Sequence, residues 1–228
     1  MAFTGIITAL QSEANCLKAL ITKRNVVHKV SGIGPTAAKY SASQLCYNGC
    51  NCLISFGYAG ALSLQYHSGA LVIGHSVSDG KNTIDINSPR LQELGKLISK
   101  EKTLSIHEAA FLSTSLALRN NNEKISHNPD KEWDAVEMES YGIAEIAKEH
   151  GIPVLIIRAI VDELDTIIPK GTENMIDVDG RQKFSTTFLE LIKTPSDLKR
   201  YLKLANAKSK ADKTLRRVAT IIAESSFT

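Results

Sequence analysis

The stretch from Tyr141 to Asp162 reads YGIAEIAKEHGIPVLIIRAIVD and contains two different hydrophobic patterns. Its first half has apolar residues at helical spacing and stops at Gly151, two residues before Pro153, so it predicts a helix that ends there. The run PVLIIRAIVD at 153–162 is almost wholly apolar and predicts a buried strand. A helix followed directly by a buried strand is typical of α/β proteins with a largely parallel sheet.

The same alternation continues toward the N-terminus. Three more apolar runs predict strands, GIITAL at 5–10, CLISFG at 52–57 and ALVIG at 70–74. The segment PTAAKYSASQLCY, which follows the turn SGIG, predicts a helix that begins at Pro35. The polar segments 78–88 and 120–133 predict surface loops, the second with a short helix. Ligands of such sheets gather at the carboxyl ends of the strands, where we expect the site.

The composition limits the class of partner. The chain has 228 residues, of which 43% are hydrophobic, and a net charge of only +3, which is too small to indicate nucleic-acid binding. Small molecules are the expected partners. The start of the chain has no basic segment before its short apolar run, and no stretch approaches 18 apolar residues, so we expect a cytoplasmic protein. The four cysteines lack zinc-site spacing and are expected to be free thiols, and we expect no metal and no cofactor.

The composition changes after residue 193. Eight Lys or Arg against three Asp or Glu give residues 194–228 a net charge of +5, which leaves −2 for residues 1–193. We therefore predict a main domain over 1–193 and a basic extension of one or two amphipathic helices over 194–228, with Ser196 or Asp197 as N-cap. A helix packed on its own domain is favoured, and contact with a membrane surface is the alternative.

Several polar residues fall at strand ends. Glu13 follows the first predicted strand, where it is either a catalytic base or a glutamate that favours the helix dipole. Arg158, Ile160 and Asp162 share one face of their strand, since side chains alternate with a period of two. The two charged residues on that face are explained equally well by a structural ion pair and by a functional site.

Two short segments leave alternatives open. In AVEMESYG at 135–142, Glu137 and Glu139 share a face if the segment is extended, but diverge by about 200° if it is helical. The glycine-rich turn in SGIGPTAAKY leads into a helix and could bind an anion through backbone N–H groups. It lacks both the GxGxxG and the P-loop pattern, so it is a weak phosphate site.

Five motifs occur together and in order: GIITALQSEA, SGIGPTAAKY, LISFGYAGAL, AVEMESYGIA and IIRAIVD. Together they resemble the purine nucleoside phosphorylase and uridine phosphorylase superfamily, and more closely its nucleosidase branch, typified by methylthioadenosine/S-adenosylhomocysteine nucleosidase. The resemblance covers about residues 5–165. It implies a three-layer α/β/α sandwich around a mixed, partly barrel-like central sheet, and cleavage of the N-glycosidic bond of a purine nucleoside.

The resemblance also implies roles for individual residues. Glu139 would hold the ribose hydroxyls, with Met138 packed on the sugar and Glu137 nearby. Asp162 would protonate purine N7 or hydrogen-bond it as the base leaves, and Glu13 would activate water. This chemistry requires a protonated Asp162, whose pKa would have to be raised, and an ionised Glu13. The remaining implied site residues are Arg158, which orders the carboxylates, Tyr58, Ala59 and Gly60 at a strand end, and Ala117 and Leu118 as backbone contacts to the purine.

The chain departs from the family pattern in three places. Val161 stands where a serine usually precedes the acid, Tyr58 replaces a small residue, and Gly69-Ala70 replaces a Gly-Asp pair. Phosphorylases of the superfamily hold phosphate with arginines near the N-terminus, whereas the first arginine here is Arg24. An ionised Glu13 would also repel phosphate, which favours water as the nucleophile. The resemblance further implies a homo-oligomer, most simply a dimer.

The C-terminal region from Ile167 resembles the hopanoid-associated phosphorylase subfamily in its DVDGR motif and basic helical stretch. That resemblance implies release of adenine from an adenosylhopane-type lipid. A lipid substrate would give the basic tail a reason to approach an anionic membrane. The prediction is therefore a purine nucleosidase acting on an adenosyl compound. The alternatives are a methylthioadenosine/S-adenosylhomocysteine nucleosidase, a phosphate-dependent phosphorylase, and a nucleoside-binding protein without activity.

Overall fold

The structure is a computed structural model that describes residues 2–98, 100–101, 104, 106–168 and 198–225. These residues contain eight strands and six helices. The strands are Phe3–Thr8 (β1), Val26–Val30 (β2), Cys50–Ala61 (β3), Leu71–Ser78 (β4), Thr83–Asp85 (β5), Ile106–Ser113 (β6), Ala135–Glu137 (β7) and Val154–Asp162 (β8). The helices are Gln11–Ala14 (α1), Pro35–Tyr47 (α2), Pro89–Ile98 (α3), Asn121–His127 (α4), Ser140–Glu149 (α5) and Leu198–Glu224 (α6).

The strands form one mixed sheet that closes on itself along part of its length. β1 pairs in parallel with β2 and β3, β3 with β8, and β6 with β4 and β7. β3 is antiparallel to β7, and β4 is antiparallel to β5 and β8. Because β3, β8, β4, β6 and β7 pair in a ring, they form a barrel, from which β1 and β2 continue the sheet outward.

Helices cover both faces of the sheet, and each face has its own apolar core. Residues of α2 and α5 pack on one face, with Ile156 and Ile160 of β8. Residues of α3 and α6 pack on the other, with Leu155 and Ile157 of the same strand. β8 is therefore buried on both sides, which accounts for its almost continuous apolar sequence. The predicted α/β fold, with a central mixed sheet between helices and a helical C-terminal extension, is confirmed.

The C-terminal extension contains one long helix, α6. Its apolar side belongs to the core, where Ala211, Leu215, Val218 and Ile222 are fully buried. Its exposed positions carry most of its lysines and arginines. None of the described helices combines the length and hydropathy needed to cross a bilayer. The predicted caps, the predicted boundary at residue 193 and the DVDGR motif lie outside the described residues.

Two predicted boundaries were wrong in an informative way. β3 was predicted to end at Gly57 but continues to Ala61, because β8 and β7 pair with its last residues and the glycines there leave room for neighbouring side chains. The segment 78–88 was predicted to be a loop but contains β5. The Asp79 carboxylate accepts hydrogen bonds from the N–H groups of Lys81 and Asn82, and this tight turn returns the chain beside β4.

Candidate active site

A cavity of about 260 Å³ opens where the carboxyl ends of β1, β3, β7 and β8 meet. Ten of the eleven residues predicted for the site line it, and the eleventh, Arg158, is buried next to it. The ten are Glu13, Tyr58, Ala59, Gly60, Ala117, Leu118, Glu137, Met138, Glu139 and Asp162. The other lining residues, which no sequence motif indicated as site residues, are mostly apolar: Ala9, Leu10, Ile33, Thr114, Val136, Val161 and Ile168.

Arg158 is the centre of the polar network behind the cavity. Its guanidinium is 1% exposed, and Nη2 donates to Glu137 Oε2 at 2.5 Å and to the hydroxyls of Ser55 at 2.8 Å and Ser140 at 3.0 Å. Nη2 also lies 3.5 Å from Glu139 Oε2. A buried guanidinium is tolerated only with such partners, so Arg158 sets the positions of the carboxylates around it.

Glu137 is fully engaged by protein donors. One carboxylate oxygen accepts from the Ser113 hydroxyl, and the other accepts from Arg158 and from the backbone N–H groups of Glu139 and Ser140, at 2.9 and 2.8 Å. These bonds fix the junction between β7 and α5. The contacts of Glu137 therefore fit the ordering of Arg158 and the helix start better than the binding of a ligand.

Glu139 lies at the N-cap of α5, and the segment before it is extended. This decides the open alternative for AVEMESYG, because both glutamates reach the same arginine. Glu139 Oε1 also accepts from the Gly34 N–H at 3.0 Å, so a carboxyl oxygen of the protein itself occupies the start of α2. Burial, and the nearby Glu137 and Glu13 carboxylates, raise the pKa of Glu139 to about 8 although Arg158 opposes this.

Replacing Glu139 by glutamine should make the protein more stable at high pH. Between about pH 4.5 and about pH 8 the folded protein keeps a proton on Glu139 that the unfolded chain has released, so stability falls as pH rises through this window. Glu139→Gln removes that loss. Because one pKa unit corresponds to about 1.4 kcal/mol, we expect a gain of a few kcal/mol at pH 8.5, with about 2–4 °C in Tm for each kcal/mol, and little or no gain at pH 5.

Thermal unfolding of wild type and variant at both pH values measures this difference. The matched control is Glu149→Gln, at an exposed position near the end of the same helix. An equal change in Tm at pH 5 and pH 8.5 would contradict the raised pKa of Glu139.

Glu13 is held by three backbone donors. Its Oε2 accepts from the N–H groups of Ala9 and Leu10 at 2.9 and 2.8 Å, and its Oε1 accepts from Tyr58 N–H at 2.8 Å. The donors come from the ends of β1 and β3, so the fold of both strands fixes the carboxylate at the cavity wall. Burial raises the pKa of Glu13, against the opposing effects of Arg158 and the three backbone hydrogen bonds.

Asp162 has a partner that the sequence analysis missed. The Lys124 ammonium lies 2.6 Å from Asp162 Oδ2, is completely buried, and also donates to the Glu163 carbonyl at 2.8 Å. Lys124 comes from α4, in a polar segment where a lysine is ordinarily exposed, so no local pattern indicated it. Gly60 leaves space for the Asp162 carboxylate, since a Cβ at this position would lie 2.7 and 2.8 Å from its two oxygens.

The Tyr58 side chain reaches from the cavity wall to α6. Its hydroxyl donates to the Asp212 carboxylate of α6 and lies 3.1 Å from Lys208 Nζ, and burial raises the pKa of the phenol. Tyr58 contacts Glu13 through its backbone N–H, which donates a hydrogen bond to the Glu13 carboxylate. The bulky residue at this position therefore connects the C-terminal helix to the strand that carries the site.

The fold and the site together define an α/β protein with several ordered carboxylates around one small cavity. The family model of the phosphorylase superfamily matches residues 15–194, and the chain belongs to this superfamily. The resemblance found in the five motifs is thus confirmed. Among curated relatives, the DeoD-type purine nucleoside phosphorylase of Streptococcus pyogenes serotype M5 (strain Manfredo) is 25% identical over 181 residues, which is 73% of each chain.

Two solved structures with the same fold are named as a futalosine hydrolase and a nucleosidase. The native futalosine hydrolase of Helicobacter pylori superposes with a TM-score of 0.74 at 15% identity, covering 98% of both chains. The methylthioadenosine/S-adenosylhomocysteine nucleosidase of Neisseria meningitidis, in complex with methylthio-immucillin-A, superposes with a TM-score of 0.67 at 18% identity, covering 96% of this chain and 99% of the other. At these identities the likeness shows the shared fold.

Proposed function

We propose that the protein is a purine nucleosidase, an enzyme that hydrolyses the N-glycosidic bond of an adenosyl compound and releases adenine. The observation that carries this proposal is the convergence of Glu13, Glu139 and Asp162 on one apolar cavity, with Arg158 behind them. The alternative of a binding protein without activity would not require carboxyl groups in three different environments. Acid, base and sugar-binding roles do require them.

The proposed mechanism divides the work between these groups. Cleavage passes through an oxocarbenium-like state, in which the purine must gain a proton while a base prepares water on the other side of the sugar. Asp162 is the group at the purine, and Glu13, fixed by three backbone donors, is the base. Burial raises the pKa of Glu139 and so favours its protonated carboxyl, which can donate to one ribose hydroxyl and accept from the other.

The charge of the cavity favours water over phosphate as nucleophile. The described residues that line it include four carboxyl groups, from Glu13, Glu137, Glu139 and Asp162, and no lysine or arginine. Glu137 is paired with Arg158 and Asp162 with Lys124, so a phosphate dianion beside ionised Glu13 would be repelled and would find no lysine or arginine among the described lining residues to hold it. Phosphorolysis is the second candidate, because the superfamily and the Streptococcus pyogenes relative include phosphorylases by name.

Release of adenine should not depend on phosphate. We expect the rate in phosphate-free buffer to stay within about twofold of the rate with 10 mM phosphate, and the sugar product to carry a free anomeric hydroxyl, since an unpaired anion in this cavity is unfavourable. Chromatography of adenine and of the sugar product measures both. Formation of a sugar 1-phosphate, or a rate that saturates with phosphate concentration, would show that the enzyme is a phosphorylase.

The substrate is proposed to carry an apolar or large 5′ group. Leu10, Ile33, Leu118 and Ile168 contribute apolar surface to the cavity, and an adenosylhopane-type lipid, methylthioadenosine and S-adenosylhomocysteine are the candidates. A panel of these compounds with futalosine and deoxyadenosine would rank them. Because most of the apolar side of α6 is buried, the proposed membrane contact would use its exposed lysines and arginines and the exposed Leu202. Sedimentation with anionic vesicles tests that contact, and gel filtration tests the proposed dimer.

A further inference from the structure

Lys124 is a buried cation that has no role in the mechanism proposed above. It is completely buried, it lies 2.6 Å from Asp162 Oδ2, and it does not line the cavity. Burying an ammonium is costly, and packing alone would be served as well by an apolar side chain of similar length. Its position behind the residue at the purine therefore calls for a chemical explanation.

The ion pair changes what Asp162 can do. An ammonium in contact with a carboxylate at this distance is a charged donor held against its acceptor, so a proton of Lys124 lies next to the group that faces the purine. The second oxygen of Asp162, Oδ1, accepts no hydrogen bond from the described residues. The carboxylate thus contacts a proton donor on one side and lines the cavity on the other.

We propose that Lys124 supplies the proton that Asp162 passes to N7 of the leaving purine. The inference rests on the proposed nucleosidase function. Lys124 acts through Asp162 and touches no substrate, so it is a positioning residue and a proton reservoir. Because Gly60 has no Cβ, the Asp162 carboxyl fits between the ammonium and the cavity.

The proton balance closes without any further reactant. A proton leaves Lys124 Nζ for the Asp162 carboxylate, and a carboxyl proton moves to N7 as the C1′–N9 bond breaks and its electron pair goes to the purine. The oxygen of water bonds to C1′, and the proton that water loses goes to Glu13. After the products leave, Glu13 releases that proton to solvent, and the neutral amine of Lys124 regains one through Asp162.

The test compares two substrates at pH 7.5. One is a purine nucleoside that the wild-type protein cleaves, and the other is the same nucleoside methylated at N7, whose base leaves without needing a proton. Lys124→Met removes the donor and keeps the length of the side chain. Lys124→Gln can still donate to the Glu163 carbonyl but has no proton to give, and Lys124→Arg keeps the charge. If the methionine variant does not fold, the glutamine variant provides the same comparison of the two substrates.

We expect Lys124→Met and Lys124→Gln to lower kcat for the unmethylated nucleoside by about 100-fold, a typical contribution of a proton donor. The kcat ratio of methylated to unmethylated substrate should rise by about tenfold or more, and Lys124→Arg should recover part of the loss. An equal loss on both substrates would mean that Lys124 only supports the structure, and full activity on both would mean that Asp162 needs no reservoir; either result overturns the inference. If the wild-type protein cleaves neither substrate, the proposed function itself fails.

Discussion

Asp162→Asn should lower kcat for adenine release by about 10²–10⁴, the range that general acid catalysis contributes. The amide has nearly the shape of the carboxyl but cannot relay a proton to N7. The substitution should also destabilise the fold, because it leaves the buried Lys124 ammonium without its counter-ion at 2.6 Å. Removing one partner of a buried ion pair typically costs about 3–5 kcal/mol.

The two effects can be separated with a double variant. Asp162→Asn combined with Lys124→Met removes the whole pair, so thermal stability should recover most of the loss while kcat remains low. Asp165→Asn, at an exposed position three residues further on, is the matched control and should leave both quantities unchanged. Recovery of activity together with stability in the double variant would remove Asp162 from the chemistry.

Glu13→Gln is expected to have an effect of similar size, a fall in kcat of about 10²–10⁴, because the amide cannot accept a proton from water. The glutamine oxygen can replace only one of the two carboxylate oxygens, so either the pair of donors at Ala9 and Leu10 or the single donor at Tyr58 loses its acceptor. An unsatisfied buried N–H costs about 1–3 kcal/mol. Removal of a buried negative charge next to Glu139 offsets part of this cost.

The pH dependence gives an independent check on Glu13. Because burial raises its pKa, we expect the acidic limb of the kcat profile to lie above the ordinary range of a glutamate, and activity to be lost as pH falls through it. Steady-state rates from pH 4 to pH 9, with circular dichroism to confirm folding, measure this limb. Glu13→Gln with more than about a tenth of wild-type kcat would mean that another group is the base.

Much of the fold could be predicted because its signals are local. The helix after Pro35, the helix before Gly151 and the strand that ends at Asp162 each follow from a hydrophobic period and a terminating residue. Four strands, β2, β5, β6 and β7, were not predicted. For β5 and β7 the reason is length, because three residues carry too little periodicity to distinguish a strand from a turn. The pairing partners of β7, which are β3 and β6, also lie far away in the sequence.

The sequence by itself determined which chemical groups the protein has and at which strand ends they lie: Glu13 after β1, the two glutamates before α5, and Arg158 and Asp162 on β8. Only the tertiary structure decided how they are used. In the folded protein Glu137 pairs with Arg158, and Glu139 accepts a hydrogen bond from Gly34. The Tyr58 hydroxyl contacts α6, and Lys124 pairs with Asp162. Periodicity indicates which face of an element is buried, whereas the partner of a buried charge depends on which distant segment packs against that face.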